Sequence, residues 1–223
     1  MGAALRRTGI LAAIATAMIA AGCGSEKTAP RADSGTPAQA ASAEVASLLA
    51  GIPQRGRTLG EERAPVVVQF FGDLECPYCR KFALGPLGTL INGYVRSGKL
   101  KIEYRSLETA THDPQTFMTQ QVAAVAAGQQ NRMWNYIELF YRRRRKEDSG
   151  YVTEGFLQEL AEQVGGLNLI AWTAARSDSR LAGIVTADAQ GASEAGIDST
   201  PGFRVGAARP VPYLSAIKKL LID

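Results

Sequence analysis

The run Val66-Val67-Val68-Gln69-Phe70-Phe71 passes through Gly72-Asp73-Leu74-Glu75 into Cys76-Pro77-Tyr78-Cys79, and this juncture constrains the fold more than any other stretch. A nearly continuous series of β-branched and aromatic residues predicts a strand buried on both faces. The residues after the second cysteine, with Phe82, Leu90, Ile91, Tyr94 and Val95 at helical spacing, predict a helix broken or kinked at Gly85-Pro86 and ended by Gly98. Leu100-Lys101-Ile102-Glu103-Tyr104-Arg105 then alternates as a second strand. Strand, helix and strand in this order form a right-handed parallel crossover, with the cysteine pair at the strand-to-helix turn.

From about Pro114 to Ala195 the pattern is helical. Phe117, Val122 and Val125 mark one helix, and Trp134, Ile137 and Tyr141 a second. A third carries Phe156, Leu157, Leu160, Ala161 and Val164, with Thr153 as its N-cap and Gly165-Gly166 closing it. Shorter helices are expected over residues 169–176 and 181–195. Thr200-Pro201-Gly202-Phe203-Arg204-Val205 returns to the sheet, and Pro212 opens a last helix with Leu214, Ile217 and Leu221 on one face. The reading is one α/β domain over residues 57–223 that carries a helical insertion at about 112–196.

The segment before the domain has a different character. Arg6 and Arg7 precede an apolar stretch that ends in Ala20-Ala21-Gly22-Cys23, the pattern of an export signal and too short for a comfortable membrane span. Its ending resembles the lipobox of bacterial lipoproteins, with Ala20 where Leu is commoner, which implies lipidation of Cys23 and removal of residues 1–22. The formal charge of +4 (25 basic, 21 acidic) then falls to +2, because two arginines and no acids leave. So small a surplus argues against a nucleic-acid partner. Residues 24–42 are rich in Ala, Ser, Gly, Thr and Pro and read as a flexible tether, with a short helix expected over residues 44–50.

The chemistry lies in the cysteine pair. At a helix start, free backbone N–H groups and the helix dipole favour a thiolate, so an exposed Cys76 is expected to titrate below an ordinary thiol. A thiolate attacks disulfides, and Cys79 is spaced to resolve the mixed disulfide that results. Pro77 suits the first helical turn, and Tyr78 adds bulk without the positive charge of a histidine, which predicts a less oxidising couple than a histidine version. Three other readings compete: a zinc half-site, a structural disulfide and two inert thiols. Zinc lacks ligands, since only Cys76, Cys79 and His112 remain, and a bridge across so short a loop would constrain the unfolded chain little. No cofactor is called for.

Taken together, Asp73-Leu74-Glu75-Cys76-Pro77-Tyr78-Cys79 after a buried strand, Met133-Trp134 followed by Leu139-Phe140-Tyr141, and Gly196 shortly before Thr200-Pro201 resemble the thioredoxin superfamily. The likeness is to its exported Dsb-type branch and covers roughly residues 59–223. That resemblance implies a thioredoxin fold with an inserted helical subdomain and a cis-proline at Pro201 packed beside the active-site pair. It also implies that Thr200 offers backbone hydrogen bonds to an extended substrate strand, with Pro77 and Tyr78 at the same surface. The implied activity is thiol-disulfide oxidoreduction on exported proteins, preferably their oxidation, at the outer face of a bacterial cell membrane. The implied membrane partner is a quinone-linked oxidase or a reductase. A reductase or isomerase of the same family, glutaredoxin-like chemistry, and a non-catalytic thiol-binding or metal-chaperone lipoprotein stay open as alternatives.

One position departs from that pattern. Where many relatives carry a buried acid before the first cysteine, this chain has Phe70, and Gln69 should face the other side of the strand. Proton transfer at Cys79 is therefore expected to run through water or another carboxylate. Glu75 is close in sequence, but its charge would oppose the thiolate. Arg80 and Lys81 read as solvated charges, and Arg142-Arg143-Arg144-Arg145-Lys146 reads as a solvated helix end. His112 reads as part of a turn, and Trp134, Tyr136, Phe140 and Tyr141 as core.

Overall fold

The computed structural model describes residues 36–206. The expected signal segment, the lipid-bearing Cys23 and the helix expected from Pro212 lie outside the described residues. Among the described residues, no helix is long and apolar enough to cross a membrane.

Helix α1, Pro37–Leu49, starts ahead of the expected residue 44 because Thr36 and Gln39 close a capping box. Gln39 N donates to Thr36 Oγ1 (3.3 Å) and Thr36 N donates to Gln39 Oε1 (2.7 Å). Ala41, Val45 and Leu49 fall four residues apart and bury one stripe in the main core. Ordered structure therefore begins ahead of residue 57, and residues 37–42 are helix rather than tether.

A small hairpin, β1 (Gln54–Arg55) and β2 (Thr58–Leu59), leads into β3 (Val66–Gly72). Then come α2 (Pro77–Ala83), α3 (Pro86–Leu90) with a π turn over Ile91–Val95, and β4 (Leu100–Ser106). Gly85-Pro86 breaks the helix where expected: α2 is capped at Leu84, and Pro86 opens α3 at a position that needs no N–H. β3 and β4 run parallel, with Val66 opposite Leu100 and Phe70 opposite Tyr104. The sheet order is β1-β2-β4-β3-β5, with β5 (Gly202–Val205) antiparallel to β3.

Five helices fill the expected insertion: α4 (Pro114–Gly128), α5 (Met133–Arg143), α6 (Glu154–Gln163), α7 (Leu169–Ala175) and α8 (Ser179–Ala195). β4 alternates fully, turning Leu100, Ile102, Tyr104 and Ser106 inward. β3 is buried on both faces only in its C-terminal half. There Phe70 enters the main core against Phe82, Tyr104 and Phe203, while Phe71 packs on Ala192 and Ile197 behind the sheet. Each such buried side chain contributes about 1.5–3 kcal/mol, so the strand end that leads into the cysteines is the best anchored part of the sheet.

α8 is tied to the sheet by Asp188. Its buried carboxylate accepts Arg57 Nη1 at 2.6 Å, Arg105 Nη1 at 3.0 Å and Ser106 N at 2.9 Å. The expected core aromatics are all buried, and Trp134 and Tyr136 satisfy their polar ends on the carbonyls of Arg57 and Leu157. The basic run departs from expectation. Arg142 pairs with Glu138 and Glu44, Arg143 with Glu159, and Arg144 with Glu147, all with largely covered guanidinium groups. Arg145 and Lys146 stay exposed as expected, but the first three arginines are clamped, by Glu138 and Glu147 nearby in sequence and by Glu44 and Glu159 from other helices.

Candidate active site

Cys76 is the N-cap of α2, and Pro77 occupies the first helical position. The expectation that Cys76 is exposed does not hold: it is 3% exposed, and Cys79 is fully buried. The loop before β5 covers it, and Cys76 Sγ lies 3.5 Å from the Thr200 carbonyl. What remains open is a groove lined by Cys76, Tyr78, Thr109, His112, Glu147 and Thr200. Tyr78 is 69% exposed and stands at its edge.

The two sulfurs lie in opposite electrostatic surroundings. Cys76 Sγ accepts Cys79 N at 3.4 Å. The Cys79 thiol hydrogen bond, then donors at Thr200, Cys79 and Tyr78, outweigh burial and pull the Cys76 thiol down to about 6. Burial dominates at Cys79 and pushes it well above an ordinary thiol, with the hydrogen bond to Cys76 and the charge on Cys76 acting the same way. Both cysteines are reduced. The pair is thus a thiolate facing a groove and a thiol sealed beneath it.

The loop that carries the pair is held by Asp73. Its buried carboxylate accepts the amides of Glu75 (2.9 Å), Thr109 (3.0 Å), Ala110 (2.8 Å) and Thr111 (2.9 Å), and the Thr111 hydroxyl (2.7 Å). The Asp73 carbonyl accepts the Cys76 amide at 3.1 Å. One residue therefore fastens the cysteine loop to the loop after β4. Glu75, expected to oppose the thiolate, is buried and turned toward Asp148, whose N–H donates to Glu75 Oε1 at 3.2 Å. Burial raises its pKa. Arg144 donates to the Glu75 carbonyl, and His112 Nδ1 lies 2.5 Å from Asp148 Oδ2. His112 stands just before the N-cap of α4, the helix start its sequence position suggests, and also lines the groove.

The structure brings the expected site residues together. The Thr200-Pro201 peptide is cis, and the Thr200 hydroxyl meets the Thr109 hydroxyl at 2.5 Å. Gly202 follows where the chain is crowded: a Cβ there would stand 2.5 Å from Ile197 Cγ2 and 2.9 Å from the Ser199 carbonyl. Arg80 is turned away and donates to the Tyr141 carbonyl at 3.0 Å. Asp73, Thr109, Thr111, Arg144 and the buried hydroxyls of Tyr104 and Tyr141 were not singled out as site residues from the sequence. The only local signal among them is Asp73 at the end of the strand; the others arrive from distant elements.

Known proteins with these features fall in one group. The thioredoxin family model matches residues 54–210. A probable disulfide bond formation protein D of Bacillus anthracis is 26% identical over 113 residues, 48% of this chain and 49% of that protein. The chain therefore spans about half the length of the curated relatives it matches. The structure of oxidised BdbD from Bacillus subtilis superposes with a TM-score of 0.66 at 19% identity, covering 77% of this chain and 95% of that one. The DsbA of Chlamydia trachomatis gives 0.64 at 16% identity, covering 74% and 89%. At these identities the likeness to solved structures is one of fold.

Proposed function

The chain belongs to the thioredoxin family, and from that premise we propose that it is an extracytoplasmic thiol-disulfide oxidoreductase that oxidises exported proteins through Cys76 and Cys79. The observation that carries this reading is the asymmetry of the pair, with Cys76 drawn down to about 6 beside the Thr200 carbonyl and Cys79 pushed up beneath it. In the oxidised form a substrate thiolate attacks Cys76 Sγ, the Cys76–Cys79 bond breaks, and its electron pair leaves with Cys79. A second substrate thiolate then attacks the substrate sulfur of the mixed disulfide and releases Cys76 as a thiolate. The substrate gains the disulfide that the enzyme loses.

Stabilising the Cys76 thiolate favours the reduced pair and so makes the couple oxidising, which supports this direction over reduction. Thr200 and Pro201, with Pro77 and Tyr78 at the groove edge, are the surfaces on which an extended substrate would lie. The names of the curated relatives, disulfide bond formation proteins, support the same reading. Cys23 is the proposed lipid attachment point that holds the domain at the outer face of the membrane, where a quinone-linked oxidase would restore the disulfide.

Trapping in cells tests the proposal. Cys79→Ala is expected to accumulate mixed disulfides with exported proteins in the membrane fraction, Cys76→Ser to accumulate none, and Cys23→Ser to shift the protein out of that fraction. Adducts only with a membrane reductase would overturn the oxidising direction. Stoichiometric copper or zinc on the purified protein, with no adducts, would favour a metal chaperone.

A further inference from the structure

Cys79 is sealed from solvent, yet its sulfur must alternate between thiol and thiolate in any dithiol-disulfide cycle. It shares the buried core with Phe70, Phe82 and Phe203, whose ring centroids lie 4.8 to 5.6 Å apart. Those rings carry no exchangeable proton. The Asp73 carboxylate, which fastens this loop, is already committed to its four amides and one hydroxyl. Two buried tyrosines converge on the turn between β3 and α2 that leads into the cysteines. Tyr104 donates its hydroxyl to the Gly72 carbonyl at 3.0 Å, and Tyr141 donates to the Asp73 carbonyl at 3.4 Å.

Asp73 provides the geometric link to the sulfurs, since the carbonyl that Tyr141 reaches is the one that accepts the Cys76 amide. A Cβ placed on Gly72 would stand 2.9 Å from Tyr104 Cε2 and 3.0 Å from the Tyr141 hydroxyl, so glycine there keeps the space in which the two rings meet. The line of polar groups continues inward. Gln121 Oε1 lies 3.3 Å from the Tyr104 hydroxyl and accepts Ser106 Oγ at 3.0 Å, while Gln121 Nε2 is buried with no hydrogen-bond partner among the described residues. A buried donor left without a partner is costly in a core, so this line is a high-energy feature beside the cysteine turn.

We propose that Tyr141 and Tyr104 are positioning residues for Cys79, whose hydroxyls turn toward its sulfur and donate to it when it is a thiolate. This rests on the oxidoreductase reading and concerns the sulfur buried beneath the reacting one. When reduced protein meets a disulfide, the Cys76 thiolate attacks one sulfur and releases the other as a thiolate. Cys79 then passes its proton to the thiolate just released, attacks Cys76 Sγ as a thiolate, forms the Cys76–Cys79 bond and releases the second sulfur as a thiolate. The oxidising cycle retraces these steps, with Cys79 leaving as the thiolate. The tyrosines enter only where Cys79 is charged, by hydrogen-bond donation, and are not themselves ionised.

The groups that face this sulfur are Cys76 from α2, the Asp73 backbone from the turn, and Thr200 from the loop before β5. Tyr104 on β4 and Tyr141 on α5 both sense a charge on Cys79 and one on Asp73. Burial holds both phenols far above their ordinary range, which suits them to donate rather than to act as bases.

The test separates the two steps by rapid quench with a peptide disulfide, using the full chain. Tyr141→Phe is expected to leave the attack of Cys76 within about twofold and to slow resolution by Cys79 about tenfold or more, the effect of losing a hydrogen bond to a charged group. The midpoint of its pH profile should move to higher pH. Tyr104→Phe should do the same to a smaller extent. Replacing Tyr141 with 3-fluorotyrosine, a stronger donor of nearly the same shape, should move the midpoint to lower pH and keeps the test open if a phenylalanine variant does not fold. A folded Tyr104→Phe/Tyr141→Phe protein with a wild-type resolution rate and pH profile would overturn the proposal, as would equal losses in both steps. If the wild type fails to form the mixed disulfide at all, it is the oxidoreductase reading that falls.

Discussion

Cys76 and Cys79 are three residues apart on one short helix, yet nearly everything around them differs. Cys76 faces a groove and is surrounded by donors: the Cys79 thiol and amide, the Tyr78 amide and Thr200. Cys79 lies in the aromatic-rich core, and burial dominates its titration. The contrast teaches that the motif supplies two identical groups and the surrounding fold makes them unequal. Near Cys76 hydrogen-bond donors stabilise the charge on the sulfur, whereas at Cys79 a low-dielectric surrounding penalises it.

The frame common to both sites is Asp73, and removing it should have the largest effect. Asp73→Ala would strand four amides, two of them buried, and the buried Thr111 hydroxyl, and is expected to lower stability by roughly 3 kcal/mol. Urea unfolding of the reduced protein checks this. A loss under about 1 kcal/mol would mean that the loops hold without it.

Alkylation of the reduced protein addresses the contrast itself. At pH 7 Cys76 should be modified at least about a hundredfold faster than Cys79, equivalent to about 2.7 kcal/mol. Its thiolate forms as pH rises through about 6, so the rate should climb about tenfold per pH unit below that value and level off above it. Mass spectrometry of the labelled peptides across pH 4 to 9, taken as roughly the span in which a thiol of this kind titrates, reads both sites at once. Comparable labelling of the two would erase the contrast.

A smaller perturbation can be confined to the deeper side. Gly72→Ala puts a methyl group against Tyr104, Tyr141 and Phe70, and should cost about 1–3 kcal/mol through overpacking. The Cys76 pH profile should stay where it is, because none of those three side chains supplies its donors. A shifted Cys76 profile in this variant would show that the two environments are not independent.

Much of the fold was legible. The β3 run, the alternation of Leu100 to Arg105, the break at Gly85-Pro86 and the Thr153 cap are local patterns, and periodicity and turn chemistry carry them. The start of α1 was placed too late, because Ala-, Ser- and Pro-rich composition reads as tether. The capping box of Thr36 and Gln39 and the stripe Ala41, Val45, Leu49 carry a weaker signal than that composition. The basic run was misread for another reason. A cation cluster looks solvated until Glu44, Glu138, Glu147 and Glu159 are known to meet it. In the site, Cys76, Cys79, Thr200 and Pro201 could be named because short motifs mark them. Arg144 and Tyr141 could not, since they reach the cysteine loop from more than sixty residues away.

The sequence by itself determined the order of the main strands and helices and the position of the cysteine pair at a strand-to-helix turn. Those features follow from side-chain period, backbone restriction and residue chemistry, which act between neighbours in the chain. Only the tertiary structure decided that Cys76 is covered yet titrates low, that Asp73 bridges two loops, that Glu75 turns toward Asp148, and that the hydroxyls of Tyr104 and Tyr141 meet the turn before the cysteines. Protonation depends on burial and on donors within a few ångströms, and the elements that bring those groups to the two sulfurs are far apart in the chain.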